Sequence, residues 1–287
     1  MPSLEEFVPL LEEIWESGIL SNKGPFHEKF EAELIKALGI SELSLTCNGT
    51  LALLLAIKAL DIWDSEIITT PFSFVATASG ILWSGNRPVF VDVDAETANI
   101  DPFKIEQVIT SKTKAILAVH CYGYPCEVEA IEAIARKNRL AVIYDASHAF
   151  GVEINGKSIL NYGDLSTLSF HATKPFQTFE GGAVVSSLKL QKEKIDRLKN
   201  FGFIQEGMIG EVGINAKMNE ISAAFGLLQL QKFEKSLKRR AIIAQRYRDQ
   251  LEGVTGILHF RRQKETTSNY AYHPIKVTSS YRLDRDG

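Results

Sequence analysis

Apolar positions along the chain follow two different periods. Near the N-terminus they recur at helical spacing: an amphipathic stretch around Glu12 to Trp15 stops at Gly18, and Phe26, Phe30 and Leu34 repeat every fourth position. Two helices are therefore predicted, the second over residues 26–38, joined by the loop Ser21-Asn22-Lys23-Gly24-Pro25. Beyond them the pattern becomes short apolar runs at 43–46, 66–69, 88–91, 115–119 and 140–144, separated by helix-length stretches. That alternation predicts an α/β fold in which helices wind a mostly parallel sheet. Start signals agree: Asp101-Pro102 reads as an N-cap with a first-turn proline, and Glu127 opens a helix over 128–138.

Further on, Asn155-Gly156 between apolar runs at 152–154 and 157–160 predicts a hairpin, and strands are expected at 166–170 and 182–186. Past Leu188 the chain reads as helical over 191–199 and 219–251, followed by short strands near Ile257 and within 270–277. The expected organisation is an N-terminal helix and loop (1–25), a large domain (26–225) and the start of a small C-terminal α/β domain (226–287). The closing segment Arg282-Leu283-Asp284-Arg285-Asp286-Gly287 is charged and turn-like, so the small domain is expected to be incomplete.

Composition narrows the function classes. A length of 287 residues accommodates one large domain and part or all of a second. Hydrophobic residues at 45% and charged residues at 23% are typical of a folded globular chain and disfavour disorder. Thirty-two Lys and Arg against 35 Asp and Glu leave a net charge of −3 with no long basic run, which disfavours nucleic acid or anionic membranes and points to small molecules. The most apolar run, 51–57, is far too short to span a bilayer, and no basic segment precedes an apolar one at the N-terminus, so a cytoplasmic location is expected. Cys47, Cys121 and Cys126 form neither an even disulfide set nor a zinc pattern. They are read as reduced core or pocket-wall residues, and no metal is expected.

Three stretches carry candidate chemistry. Cys47-Asn48-Gly49-Thr50 joins a predicted strand to a helix beginning near Leu51, so its backbone amides either cradle a phosphate or make an ordinary strand-to-helix turn. Asp145 stands at the C-terminal end of an apolar strand, where α/β sheets place their ligands, with His148 three residues on. The carboxylate can hold a cationic ring nitrogen; equally, Asp145 can be a helix cap and His148 a satisfied polar residue. The third stretch runs from Ser169 through Lys174 to Gly181-Gly182. A lysine there, partly desolvated among apolar and small residues, can form a Schiff base with a cofactor aldehyde, the alternative being a solvated surface lysine.

With those residues in view, the chain resembles the DegT/DnrJ/EryC1/StrS aminotransferases, pyridoxal 5'-phosphate (PLP) enzymes of the type I aminotransferase fold that act on nucleotide sugars. The resemblance runs through Asn22-Lys23-Gly24-Pro25-Phe26, Asn48-Gly49-Thr50-Leu51-Ala52-Leu53, Phe72-Ser73-Phe74-Val75-Ala76-Thr77, Pro88-Val89-Phe90-Val91-Asp92, Asp145-Ala146-Ser147-His148-Ala149, the Lys174 segment and Gly213-Ile214-Asn215-Ala216-Lys217-Met218. It implies a seven-stranded large-domain sheet, PLP as cofactor, and Lys174 as the residue that binds PLP and moves the proton. It also implies that Asp145 pairs with the pyridinium nitrogen, that His148 lies near the ring hydroxyl, that Phe74 stacks on the ring, and that Gly49, Thr50 and Ser169 bind the phosphate.

Asn215 matches an asparagine that reaches across a homodimer to the partner's phosphate, although Ile214 replaces the usual aromatic residue before it. A related branch of the fold performs dehydration with histidine in place of the lysine, so Lys174 implies amino transfer, with L-glutamate as donor. The wording around Lys174 is similar to enzymes acting on dTDP-4-keto-6-deoxyglucose or its 3-keto isomer. A catalytically silent homologue that binds PLP or a sugar nucleotide is the alternative. A nicotinamide enzyme is disfavoured because no G-x-G-x-x-G follows a predicted strand.

Overall fold

A computed structural model of the chain describes residues 1–282. The turn predicted at Arg282 to Gly287 therefore lies, beyond Arg282, outside the described residues. In chain order the elements are α1 (Leu4–Ser17), α2 (Pro25–Leu38), β1 (Glu42–Thr46), α3 (Gly49–Ala59), β2 (Glu66–Thr69), α4 (Val75–Trp83), β3 (Arg87–Phe90), α5 (Pro102–Ile105), β4 (Thr113–Val119), α6 (Val128–Asn138) and β5 (Ala141–Asp145). There follow β6 (Glu153–Ile154), β7 (Lys157–Ser158), β8 (Leu165–Ser169), β9 (Gly182–Ser186), α7 (Lys189–Leu198), β10 (Phe203–Gln205), β11 (Met208–Ile209), α8 (Glu220–Leu251), β12 (Ile257–His259) and β13 (Ile275–Val277).

The main sheet has seven strands in the order β1-β9-β8-β5-β4-β2-β3. Only β9 runs against its neighbours, pairing antiparallel with both β1 and β8. The carboxyl ends of the other six strands consequently share one edge. The two edges differ: β1 is buried apart from the half-buried Glu42, whereas β3, at the other margin beside the wholly buried β2, carries Pro88 and is partly exposed. Proline is tolerated there because an edge strand need not donate every ladder hydrogen bond.

Helices cover both faces of the sheet. The sequence of α3, apolar on nearly every side, is what a helix needs when it packs between the sheet and other helices; Ala52, Leu53, Leu55, Ala56 and Ile57 are all buried. Across the opposite face, Phe30 and Leu34 of α2 join Leu43, Tyr144, Phe150, Phe170 and Phe176 in the larger core. Phe150 and Phe176 stack with ring centroids 4.2 Å apart. Directly beneath the turn that carries Lys174, this aromatic cluster gives the turn a rigid floor.

Most boundaries shift by one or two residues from the sequence reading, as where β8 spans Leu165–Ser169 and α7 Lys189–Leu198; four departures are of another kind or bear on the site. The strand predicted to stop before Asp145 includes it. The helix opened by Asp101-Pro102 is a single turn that continues as a 3₁₀ segment at Glu106–Val108. The β10–β11 hairpin has no counterpart in the predicted elements. In the region 270–277 only Ile275–Val277 is a strand.

Candidate active site

Five connections that leave the sheet at its carboxyl edge, with Tyr272 from the C-terminal region, enclose a cavity of about 840 Å³. That volume lies within the range of small-molecule sites. Its lining brings together Gly49, Thr50, Phe74, Asp145, His148, Ser169 and Lys174. Asn215, the remaining residue singled out in the sequence, is not in that lining. It bridges to Asn200 in the backbone, and its Oδ1 accepts a hydrogen bond from Lys217 Nζ at 2.8 Å.

Gly49 opens α3. Asn48 caps the helix, its side chain accepting from the Leu51 amide at 2.8 Å and its carbonyl from the Ala52 amide at 3.2 Å. Among the described residues nothing accepts from the amides of Gly49 and Thr50, which leaves two donors at the positive end of an 11-residue helix, a favourable place for an anion. A side chain at position 49 would collide with Ser169, whose Cβ would lie 2.8 Å from the added carbon. Glycine is thus required for α3 to approach the end of β8 and put the Ser169 hydroxyl beside the free amides.

Asp145, only 5% exposed, ends β5. Its Oδ2 accepts from Thr77 Oγ1 at 2.9 Å and its Oδ1 from the Ser147 amide at 3.1 Å. Thr77 in turn lies 2.7 Å from Ser73 Oγ. These bonds hold the carboxylate in one orientation at the cavity floor.

The imidazole of His148 is held from the other side. The Tyr122 amide, which can only donate, lies 3.2 Å from Nδ1, so the ring proton belongs on Nε2. Burial above all, together with the charge of Lys174 and against that of Asp145, lowers the pKa to about 4. His148 is therefore neutral at pH 7, with one N–H to offer a ligand oxygen. Tyr272 packs against the ring with centroids 4.8 Å apart, and Asn269 Nδ2 donates to the His148 carbonyl at 2.8 Å.

Lys174 occupies the turn between β8 and β9, its amide donating to the His171 carbonyl at 2.9 Å. Its ammonium forms no hydrogen bond or ion pair among the described residues. Burial lowers the lysine pKa and the charge of Asp145 works against that shift, so burial dominates. An amine so placed loses its proton more readily than a surface lysine. Beside it, His171 Nδ1 lies 2.8 Å from Thr173 Oγ1 and its Nε2 lies 3.5 Å from Glu180 Oε1.

The sequence reading did not single out the cavity residues Tyr122 and Tyr272, nor Thr77, which touches Asp145 from behind the lining; Cys121, read there as a core or pocket-wall residue, does line the cavity. Thr77 lies one helical turn past Phe74, a spacing visible in the sequence. Tyr122-Gly123 adopts two successive left-handed conformations, at φ 57° and 81°, for which the glycine was the available signal. Tyr272 comes from far along the chain and had none. Cys121, buried, has its thiol pKa pushed up to about 12 by burial and then by Asp145, so it stays protonated.

These residues fit a phosphorylated pyridine aldehyde. There are free helix-terminal amides and a hydroxyl for its phosphate, a fixed buried carboxylate for a protonated ring nitrogen, a neutral N–H donor for a ring oxygen, and an unpaired amine for the aldehyde.

The sequence profile of the DegT/DnrJ/EryC1/StrS aminotransferase family matches residues 3–287. A dTDP-4-amino-4,6-dideoxy-D-glucose transaminase of Shigella dysenteriae is 52% identical over 286 residues, spanning 100% of this chain and 78% of that protein. One of the same name from Escherichia coli is 49% identical over 287 residues, covering 100% and 77%. Among solved structures, the chain superposes on DesI, crystallised in the presence of its TDP-sugar product, with a TM-score of 0.91 and 33% identity, covering 96% of this chain and 70% of that one.

Proposed function

The chain belongs to the DegT/DnrJ/EryC1/StrS aminotransferase family, and from that membership we propose that it is a PLP-dependent transaminase delivering an amino group from L-glutamate to the 4-keto carbon of dTDP-4-keto-6-deoxyglucose. One observation carries this reading: Lys174, Asp145 and the Gly49-Thr50 amides meet in a single cavity, in a chain about half identical to transaminases named for that product class. Those names do not favour a silent homologue.

When bound, PLP supplies an electron sink that makes the carbon bearing the transferred nitrogen acidic. The chain's residues do the rest. Gly49 and Thr50 amides with Ser169 Oγ would grip the phosphate, and Phe74, at the N-cap of α4, would cover the ring face. Asp145, fixed by Thr77 and Ser147, would keep the ring nitrogen protonated, while His148 Nε2 would donate to the ring oxygen. The Lys174 amine would attach the cofactor and, once displaced by the donor's amine, would take a proton from one carbon and return it to another. Its lack of a fixed partner leaves it free for both positions.

Homodimer formation belongs to the same proposal. Asn215 does not reach its own protomer's cavity, and Phe74, Val75, Leu82 and Trp83 leave an apolar surface on α4, between 60% and 84% exposed. Contiguous exposed apolar side chains of this kind mark interaction surfaces. A second copy covering them would bring the Asn215 segment to the neighbouring phosphate.

The test is a panel of keto-sugar nucleotides incubated with glutamate and read by product mass and regiochemistry. The 4-amino product from dTDP-4-keto-6-deoxyglucose is expected. Amination of only the 3-keto isomer would move the assigned carbon, and no product from any member would refute the transfer.

A further inference from the structure

A second cavity, of about 240 Å³, lies between the N-terminal end of α2, helix α7 and the segment 200–217, and shares no lining residue with the first. A backbone bond from the Cys47 amide to the Ala216 carbonyl, 2.8 Å long, forms part of the partition between them. Lys23, His27, Asp196, Arg197, Lys199, Asn200 and Lys217 supply its polar wall.

The charges in and around this cavity are unequal. Lys23, Lys192 and Lys199 all converge on Asp196 at 2.7 to 2.9 Å, Lys192 also contacts Glu31 at 2.7 Å, and Arg197 pairs with Glu211 at 3.0 Å. Lys217 has no carboxylate partner among the described residues: its ammonium meets the amide oxygens of Asn200 and Asn215 and the face of Phe201. In the lining itself, four cationic side chains, Lys23, Arg197, Lys199 and Lys217, stand against the carboxylate of Asp196.

Two of the polar side chains are deeply buried with donors to spare. Lys199 is 1% exposed and its ammonium, 2.7 Å from Asp196 Oδ1, meets no other acceptor among the described residues. His27 is 1% exposed, and neither ring nitrogen has a partner among the described residues. Its backbone amide is taken by Glu220 Oε1 at 2.9 Å, so the helix end is already satisfied and the side chain is what remains. Asp196 cannot absorb the surplus: its two oxygens already serve Ser44 and three lysines. Leaving buried donors without acceptors is costly, and an oxyanion would satisfy the lysine and imidazole donors together.

We propose that this cavity is a binding site for a small phosphate-class oxyanion, separate from the catalytic cavity. Its volume falls below the range that holds drug-sized ligands, which favours a free ion over a nucleotide sugar. Burial and the neighbouring Lys199 and Lys23 lower the His27 pKa to about 3, so the imidazole stays neutral and offers one N–H while the lysines provide the charge. Through Lys217, an ion held here would also compete for the ammonium that now supports Asn215.

Isothermal titration of inorganic phosphate into the PLP-loaded protein, whose catalytic phosphate cradle is filled, tests the site. One saturable site per protomer is expected. Lys199→Met and the more exposed Lys23→Gln should each weaken it at least tenfold, while Lys235→Gln, on the exposed surface of α8, should leave it unchanged. Absence of saturable binding, or equal binding by all three variants, would overturn the proposal. Because neither tested lysine lines the catalytic cavity, failure here leaves the transaminase reading standing, and failure of PLP loading is seen separately in the protein's absorbance.

Discussion

Asp145 and Lys174 face one cavity but are held in opposite ways. Asp145 ends an interior strand, paired with Val119 on one side and Thr167 on the other, and its carboxylate receives two hydrogen bonds. Lys174 sits on a turn packed against the aromatic core, yet its amine is unpartnered among the described residues. The difference separates two requirements: a group that sets the charge of a ligand must stay still, and a group that forms a bond and then carries a proton must move. Fixing Lys174 in an ion pair would stabilise its protonated form and make it a poor nucleophile.

The largest break in this comparison is Lys174→Ala. Amino transfer should fall at least ~10³-fold, since attachment and proton transfer are both lost; steady-state turnover with glutamate measures it, and activity within tenfold of the parent would contradict the assignment. Asp145→Asn should retain the covalent attachment but reduce transfer about 10²-fold, the equivalent of roughly two pKa units of lost ion pairing. An unchanged rate would mean that the ring nitrogen does not depend on this carboxylate. Thr77→Val removes one of the two bonds that fix Asp145 and should cost about 1.5 kcal/mol, or roughly tenfold in kcat/KM at most. A loss as large as that of Asp145→Asn would show that orientation, rather than charge, is the carboxylate's main contribution.

The smallest effect is on stability against pH. Burial, the first cause in each case, holds the pKa of His27 and His120 at about 3 and of His148 at about 4, below the ordinary value of about 6.5. Between those limits the unfolded chain binds protons that the folded chain refuses, so stability should decline as pH falls from about 6.5 toward 4 and be insensitive to these groups above 7. A series of thermal midpoints measures this, with His148→Gln flattening part of the decline. A midpoint independent of pH over that interval would contradict the neutral, buried imidazoles.

Much of this frame was legible because burial and local signals agreed. The run at 66–69 is wholly buried and became β2 without shift, and Glu127 opened α6 where predicted. Asn155 and Gly156, at φ 52° and 72°, form the turn that an Asn-Gly pair favours. Seven of the residues named from the sequence line the cavity: Gly49, Thr50, Asp145, His148, Ser169 and Lys174 belong to stretches that the residues themselves marked, whereas Phe74 was named only through the family resemblance.

Elsewhere the sequence offered less. The β10–β11 hairpin is largely exposed and lacks apolar alternation, the signal on which strand prediction rests. Tyr270 to Tyr272 looked like a strand by composition. Instead, the Asn269 side chain bonds the carbonyls of His148 and Phe150 at 2.8 and 3.0 Å, drawing that segment over the cavity and placing Tyr272 on His148. No local rule anticipates a contact between residues so far apart in the chain. The orientation of Asp145 was hidden for the same reason, since Thr77 reaches the end of β5 from α4.

The most direct test reduces the purified, cofactor-loaded protein with borohydride and maps the labelled peptide. The account predicts a single pyridoxyl group on Lys174, lost in Lys174→Ala and retained in Asp145→Asn. A label on any other lysine, or none on a protein that transfers amino groups, would contradict it.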